Sequence, residues 1–159
     1  MGEILVNNKG LKILLISPLP PPAGGIASWT QKYLKWAEQN KIQVDLVNNS
    51  VIGKRRSRVN SGRSFLEEIR RTRRILMDLK KRIYEGSLDI VHLNSSCGKY
   101  GIIRDYLCAR IIKEKDIYLV VHYHCNIEDQ IKNRRVQKFF FRKLARRADV
   151  NLVLNNNNI

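Results

Sequence analysis

Five short apolar runs, each too brief for a helix and each followed by a segment of different periodicity, set the main constraint on this chain. Lys12-Ile13-Leu14-Leu15-Ile16-Ser17 is continuous and stops at Pro18, the pattern of a strand buried on both faces. Ile42 to Val47 alternates, Asp89 to Leu93 and Ile117 to Tyr123 are again apolar runs, and Val150 to Leu154 is the last. Between them, Ile26, Trp29, Tyr33, Leu34 and Ala37 recur at helical spacing, and Gly101 to Lys113 reads as helical. Two longer helices are expected to be basic and amphipathic. One is capped by Ser64 with Glu67 and has Phe65, Leu66, Ile69, Leu76, Leu79 and Ile83 on one face; the other spans Glu128 to Ala148. Strands alternating with helices predict right-handed crossovers. The expected fold class is therefore α/β, a Rossmann-like doubly wound parallel sheet with helices on both faces.

In such sheets a ligand sits beyond the carboxyl ends of the strands. The segments to inspect are Pro18 to Gly25, Asn94 to Gly98 and His122 to Asn126. Gly24 and Gly25, between a strand and a helix, can bring backbone N–H groups and a helix dipole close to an anion. The alternative is a tight turn that needs positive φ and binds nothing. Neither G-x-G-x-x-G nor G-x-x-x-x-G-K-[ST] occurs. His122 and His124 share one side of a strand end, and a single histidine there can hydrogen-bond a ligand hydroxyl or phosphate. No second Cys/His cluster stands nearby to complete a metal site, so no metal is expected. Asn94 and Ser95 offer amide and hydroxyl contacts to a polar substrate, or cap the next helix, and His92 reads as structural.

The 159 residues suit one domain, with residues 1–10 as a leader, 11–155 as the Rossmann-like domain and 156–159 as a tail. Three cysteines without regular spacing argue against a disulfide framework, and no secretory signal or membrane-spanning run is legible. A cytoplasmic location follows as the expectation. The net charge is +16, concentrated in two segments. Lys54 to Arg82 holds 12 basic and 3 acidic residues, and Glu128 to Arg147 holds 8 and 2. Such a surface calls for an anionic partner, and Arg70, Arg71, Arg74, Lys81, Arg134 and Arg135 are its candidate contacts. Interfacial helices on anionic membranes have this make-up. A non-catalytic basic α/β module that binds nucleic acid or membrane is the rival reading. Nucleic acid is the weaker partner, because no helix-turn-helix, zinc or RNA-binding signature is present.

Four segments in order carry a family likeness. These are Lys12 to Pro18 running into Gly24-Gly25-Ile26-Ala27, then Leu88-Asp89-Ile90-Val91-His92-Leu93-Asn94, then Val120-Val121-His122-Tyr123-His124, and finally Arg146-Arg147-Ala148-Asp149-Val150-Asn151-Leu152-Val153-Leu154. Over residues 11 to 155 the chain resembles the N-terminal domain of family 4 glycosyltransferases, retaining enzymes with the GT-B architecture of two facing Rossmann-like domains. The resemblance implies that Gly24 and Gly25 face a donor diphosphate and an acceptor, and that His124 reaches the transferred sugar. His122 stands where the family usually has Thr, and Cys125 replaces a small or acidic residue. The resemblance further implies a glycan or lipid-linked acceptor and a nucleotide-sugar donor for the full-length enzyme. This domain alone is expected to bind no cofactor. The family's donor pocket, with its spaced glutamates, lies in a C-terminal domain that this sequence does not reach, so a partner domain in cis or in trans is expected.

Overall fold

The computed structural model describes residues 10–21, 23–50, 65–127, 131 and 134–154. Its strands are β1 (Lys12–Ser17), β2 (Gln43–Asn48), β3 (Ile90–Ser95), β4 (Tyr118–Tyr123) and β5 (Val150–Val153). Its helices are α1 (Gly25–Gln39), α2 (Phe65–Glu85), α3 (Lys99–Lys113) and α4 (Arg135–Ala145). All pairings are parallel, in the order β2-β1-β3-β4-β5. The expected Rossmann-like doubly wound class is what the chain adopts.

The order reverses once. The chain steps from β1 outward to β2 through α1, then returns past β1 to β3 through α2. With right-handed crossovers, α1 covers one sheet face and α2, α3 and α4 cover the other. Burial agrees. Leu14, Ile16, Val91, Leu93, Leu119 and Val121 form one cluster with Ile75 and Leu79 of α2, Ile102 and Ile112 of α3, and Leu144 of α4. The opposite face carries Leu15, Ser17, His92, Asn94 and His122 beneath α1. Beyond α1 no described element covers that face, and Tyr118 is 46% and Leu152 40% exposed on β4 and β5.

Two motif aspartates turn out to be joints of the sheet. Asp89, just before β3, accepts the Lys12 N–H at 2.8 Å, and its own N–H donates to the Lys12 carbonyl. Asp149, just before β5, accepts the Leu119 N–H at 2.7 Å and pairs with Lys113 at 2.9 Å. That N–H bond, followed by Lys113, holds the Asp149 carboxyl below its usual range.

Several boundaries differ from the sequence reading. β3 runs on through Asn94 and Ser95, α3 begins two residues early at Lys99, and described residues place α4 at Arg135–Ala145. The Ser64 cap and residues 128–130, 132 and 133 lie outside the described residues. In α2 the buried stripe runs through Glu68, Ile75, Leu79 and Ile83, while Phe65, Leu66 and Ile69 are 47–62% exposed. The apolar side of α2 is wider than the contact it makes, so its leading turns remain in solvent. Of the three consecutive phenylalanines, Phe139 is exposed while Phe140 and Phe141 pack on the core.

Candidate functional site

The strand-order reversal falls between β1 and β3, and at the carboxyl edge there the structure has a cleft of about 580 Å³. One wall is Pro18 and Ala23 to Ala27, entering α1; the other is Asn94, Ser96 and Gly98 to Gly101, entering α3. Asn49, Ser50, Arg71 and Arg104 close the back. A second cleft of about 420 Å³ lies at the amino edge, where Arg82 pairs with Asp45 and Asp78 and Lys81 lies 3.9 Å from Glu85. It is at the wrong end of a doubly wound sheet for a ligand, and its charges are already matched.

Gly24 caps α1 with φ −178° and ψ 162°, extended backbone open to any residue. A Cβ placed on Gly24 or Gly25 would meet nothing within 4 Å. A turn that requires positive φ is therefore not the reason for glycine here. What the two glycines do is leave the α1 N-terminus bare toward the cleft. The α3 N-terminus is equally bare, capped by the backbone of Gly98 with no side-chain hydrogen bond. Neither helix carries an acidic residue in its first turn. Among the described residues no side chain caps either helix, so two helix N-termini present first-turn N–H groups and positive dipole ends to one cavity.

Asn94 lines the cleft directly, and His124 stands behind it. The hydrogen bonds between them run in one direction. Thr30 Oγ1 donates to the Ile26 carbonyl at 2.8 Å, so it accepts from Ser17 Oγ at 2.6 Å. Ser17 Oγ then accepts from Asn94 Nδ2 at 2.8 Å, which leaves Asn94 Oδ1 to accept from His124 Nε2 at 3.0 Å. The His124 proton is thereby fixed on Nε2, and the ring is tied to the first turn of α1. Ser95 is fully buried and does not face the cleft. Its carbonyl accepts from the His124 N–H at 2.8 Å and its hydroxyl from the Cys97 N–H at 3.3 Å.

The three histidines pack around Trp29, with ring centroids 5.3–5.5 Å from its own, and Tyr33 stacks on Trp29 at 4.9 Å while its ring centroid lies 5.8 Å from that of His92. Burial, then repulsion from neighbouring histidines, pushes His92 and His124 down to about 4, and burial lowers His122 as well. All three are neutral in the fold at neutral pH, whereas the unfolded chain protonates near ~6.5. Stability is therefore complete above that pH and falls as pH drops toward 4. Allowing for the partial exposure of His124, urea titrations should show a loss on the order of 3 kcal/mol across that window. An unchanged midpoint would remove the neutral-histidine account.

The expected anion contacts divide. Arg70, Lys81, Arg134 and Arg135 are exposed. Arg71 and Arg74 turn inward, donating to the carbonyls of Asn49 and Ser50 and so pinning the chain after β2, with Arg71 also 3.4 Å from Glu68. Arg104 is buried against Asp105 at 2.8 Å. Its type and position gave no sign of this, since it sits in a helix that reads as ordinary. Among the described residues no group of three His, Cys, Asp or Glu is placed to hold a metal.

Cys97 and Cys125 are joined by a disulfide, which corrects the expectation of none. The reason is the sheet: β3 and β4 are neighbours in register from Ile90 with Tyr118 to Ser95 with Tyr123, so residues just past both ends come together. Sequence spacing has no access to that proximity.

No protein-family model matches this chain, and no curated protein sequence matches it either.

Proposed function

We propose that this chain is the acceptor-binding domain of a retaining, nucleotide-sugar-dependent glycosyltransferase of glycan or polysaccharide biosynthesis. The carrying observation is that two glycine-led, uncapped helix N-termini open onto one cleft at the strand-order reversal. Such a pair suits the diphosphate of a sugar donor, or phosphate on an acceptor, because charge that develops on the leaving group meets fixed N–H donors. Asn94 borders the cleft, and its side chain, held between Ser17 and His124, fixes the position of the wall beside the α1 turn. Donor recognition falls to a second domain, in cis or in trans, so these residues alone should turn over little or no sugar nucleotide.

The test is titration with inorganic pyrophosphate. Gly24→Ala together with Gly25→Ala should weaken binding about tenfold, because each methyl projects into the space the anion needs. Unfolding free energy should stay within about 1 kcal/mol of the parent, since no backbone conformation is offended. Equal affinity in variant and parent, or no binding by the parent, would sink the reading.

The same proposal sets the domain against the cytoplasmic face of a membrane. Among the described residues no helix is long and apolar enough to cross a membrane. The support is the outer surface of α2 and α4. Phe65, Leu66, Ile69, Met77, Val136 and Phe139 are 47–62% exposed there, interleaved with exposed Arg70, Arg73, Lys80, Arg135, Lys138 and Arg142. Vesicles rich in phosphatidylglycerol should recruit the protein at low salt, each basic residue contributing about 1 kcal/mol. Replacing Arg70, Arg73 and Lys80 by alanine should release it. Recruitment to duplex DNA but not to vesicles would instead favour the nucleic-acid reading.

A further inference from the structure

The disulfide lies where it can govern the cleft. Cys97 is fully buried between Ser96 and Gly98, both of which line the cleft, and it holds a left-handed backbone with φ 55°. Its N–H donates to Ser95 Oγ, and its carbonyl accepts Gln137 Nε2 of α4 at 3.3 Å. Cys125 directly follows His124, the ring bonded to Asn94 of the cleft wall. The bond therefore staples the α3 wall of the cleft to the segment that carries His124. Cys125 is partly exposed, whereas Cys97 is not. Cys108, the remaining cysteine, is buried in the core with its thiol pushed up to about 12 by burial, and it is inert by the same logic.

We propose that Cys97–Cys125 is a thiol–disulfide exchange site whose oxidised form holds the cleft in its closed-walled shape and whose reduced form loosens it. The co-reactant is a dithiol. One of its thiolates attacks Sγ of Cys125, the accessible sulfur, and the S–S bond breaks with its electron pair leaving on Cys97 Sγ, which takes a proton. Cys97 immediately precedes the N-terminal turn of α3, whose dipole favours negative charge on the departing sulfur. The second thiolate of the dithiol then attacks the mixed disulfide and releases Cys125, which takes the second proton. Two electrons and two protons reach the protein, and the dithiol ends as a disulfide. With the staple open, the left-handed turn at Cys97 keeps its core packing and its hydrogen bonds to Ser95 and Gln137 but loses the covalent tie to the segment after β4, and the Ser96–Gly101 wall gains freedom.

The effect on ligands rests on the proposed function; the exchange itself does not, and the test separates them. The whole chain is compared after oxidation with diamide and after reduction with dithiothreitol. Alkylation of the oxidised, denatured protein should label Cys108 alone, and alkylation of the native protein after full reduction should label Cys125, the accessible thiol, ahead of buried Cys97. Amide hydrogen exchange over Ser96–Gly101 should quicken about tenfold on reduction. Cys125→Ser should exchange like the reduced parent under both conditions, and Cys108→Ala should respond as the parent does. Three free thiols after diamide, or identical exchange over Ser96–Gly101 in both states, overturns the proposal. Pyrophosphate affinity forms the second arm. A fall of about fivefold on reduction supports control of binding, and equal affinity in both states overturns that control. If exchange quickens but pyrophosphate binds in neither state, the redox site stands and the transferase reading fails.

Discussion

Asp105→Ala is expected to lower the unfolding free energy by about 3–5 kcal/mol. Asp105 is fully buried and Arg104 is 4% exposed, and both Nε and Nη2 of the guanidinium donate to the same carboxylate oxygen, at 3.0 and 2.8 Å. Removing the carboxylate leaves a cation enclosed between α3 and the cleft, with the residual attraction of Glu68 as partial compensation. The pair itself is a weak source of stability, because desolvation offsets most of the Coulomb attraction. Arg104→Met with Asp105→Leu should therefore recover most of the loss. Urea denaturation of the single and double variants checks both statements. If the double variant is as unstable as Asp105→Ala, the cost comes from packing and not from the stranded charge.

Leu93→Ala should cost about 3–5 kcal/mol, near the upper end for a leucine truncation. Leu93 is fully buried on the central strand β3, paired on both sides and part of the core cluster that α2, α3 and α4 share. The surrounding side chains come from different elements and cannot collapse together into the space. Leu15→Ala, equally buried but on the face that α1 alone covers among the described elements, should cost roughly 1 kcal/mol less, since one helix can settle toward the sheet. Equal losses at the two positions would contradict that difference in roofing.

How much of this was legible in the sequence depends on the range of the interaction concerned. The strands were visible because a buried parallel strand needs an apolar run, and Leu14 to Ile16 or Leu119 to Val121 supply one with no help from distant residues. The cleft's position followed from strand–helix alternation, and the structure brings Gly24, Gly25 and Asn94 together there. What sequence reasoning missed lies between segments far apart in the chain. Ser17 and Thr30 link Asn94 to the α1 turn, Cys125 finds Cys97, and Arg71 reaches back to Asn49, each joined only once the sheet has formed. The apolar run ends at Leu93, but β3 continues to Ser95, so the Ser95 side chain lies in the interior and not at the ligand edge. Phe65 and Ile69 misled for another reason, since periodicity reports which side of a helix is apolar and not how much of that side finds cover.

The unequal roofing of the sheet makes the cleft a jaw with one stiff and one compliant half. The α3 half is backed by α2, α4 and the main core, and is further tied by Gln137 and the staple at Cys97. Among the described elements the α1 half rests on a single helix, whose buried residues are Ala27, Thr30 and Ala37, with the rings around Trp29. Segments with fewer buried contacts open at lower free energy. A ligand gripped here would find the α3 half already in place, and the clamping movement would belong to α1, carried by the glycines proposed to meet an anion.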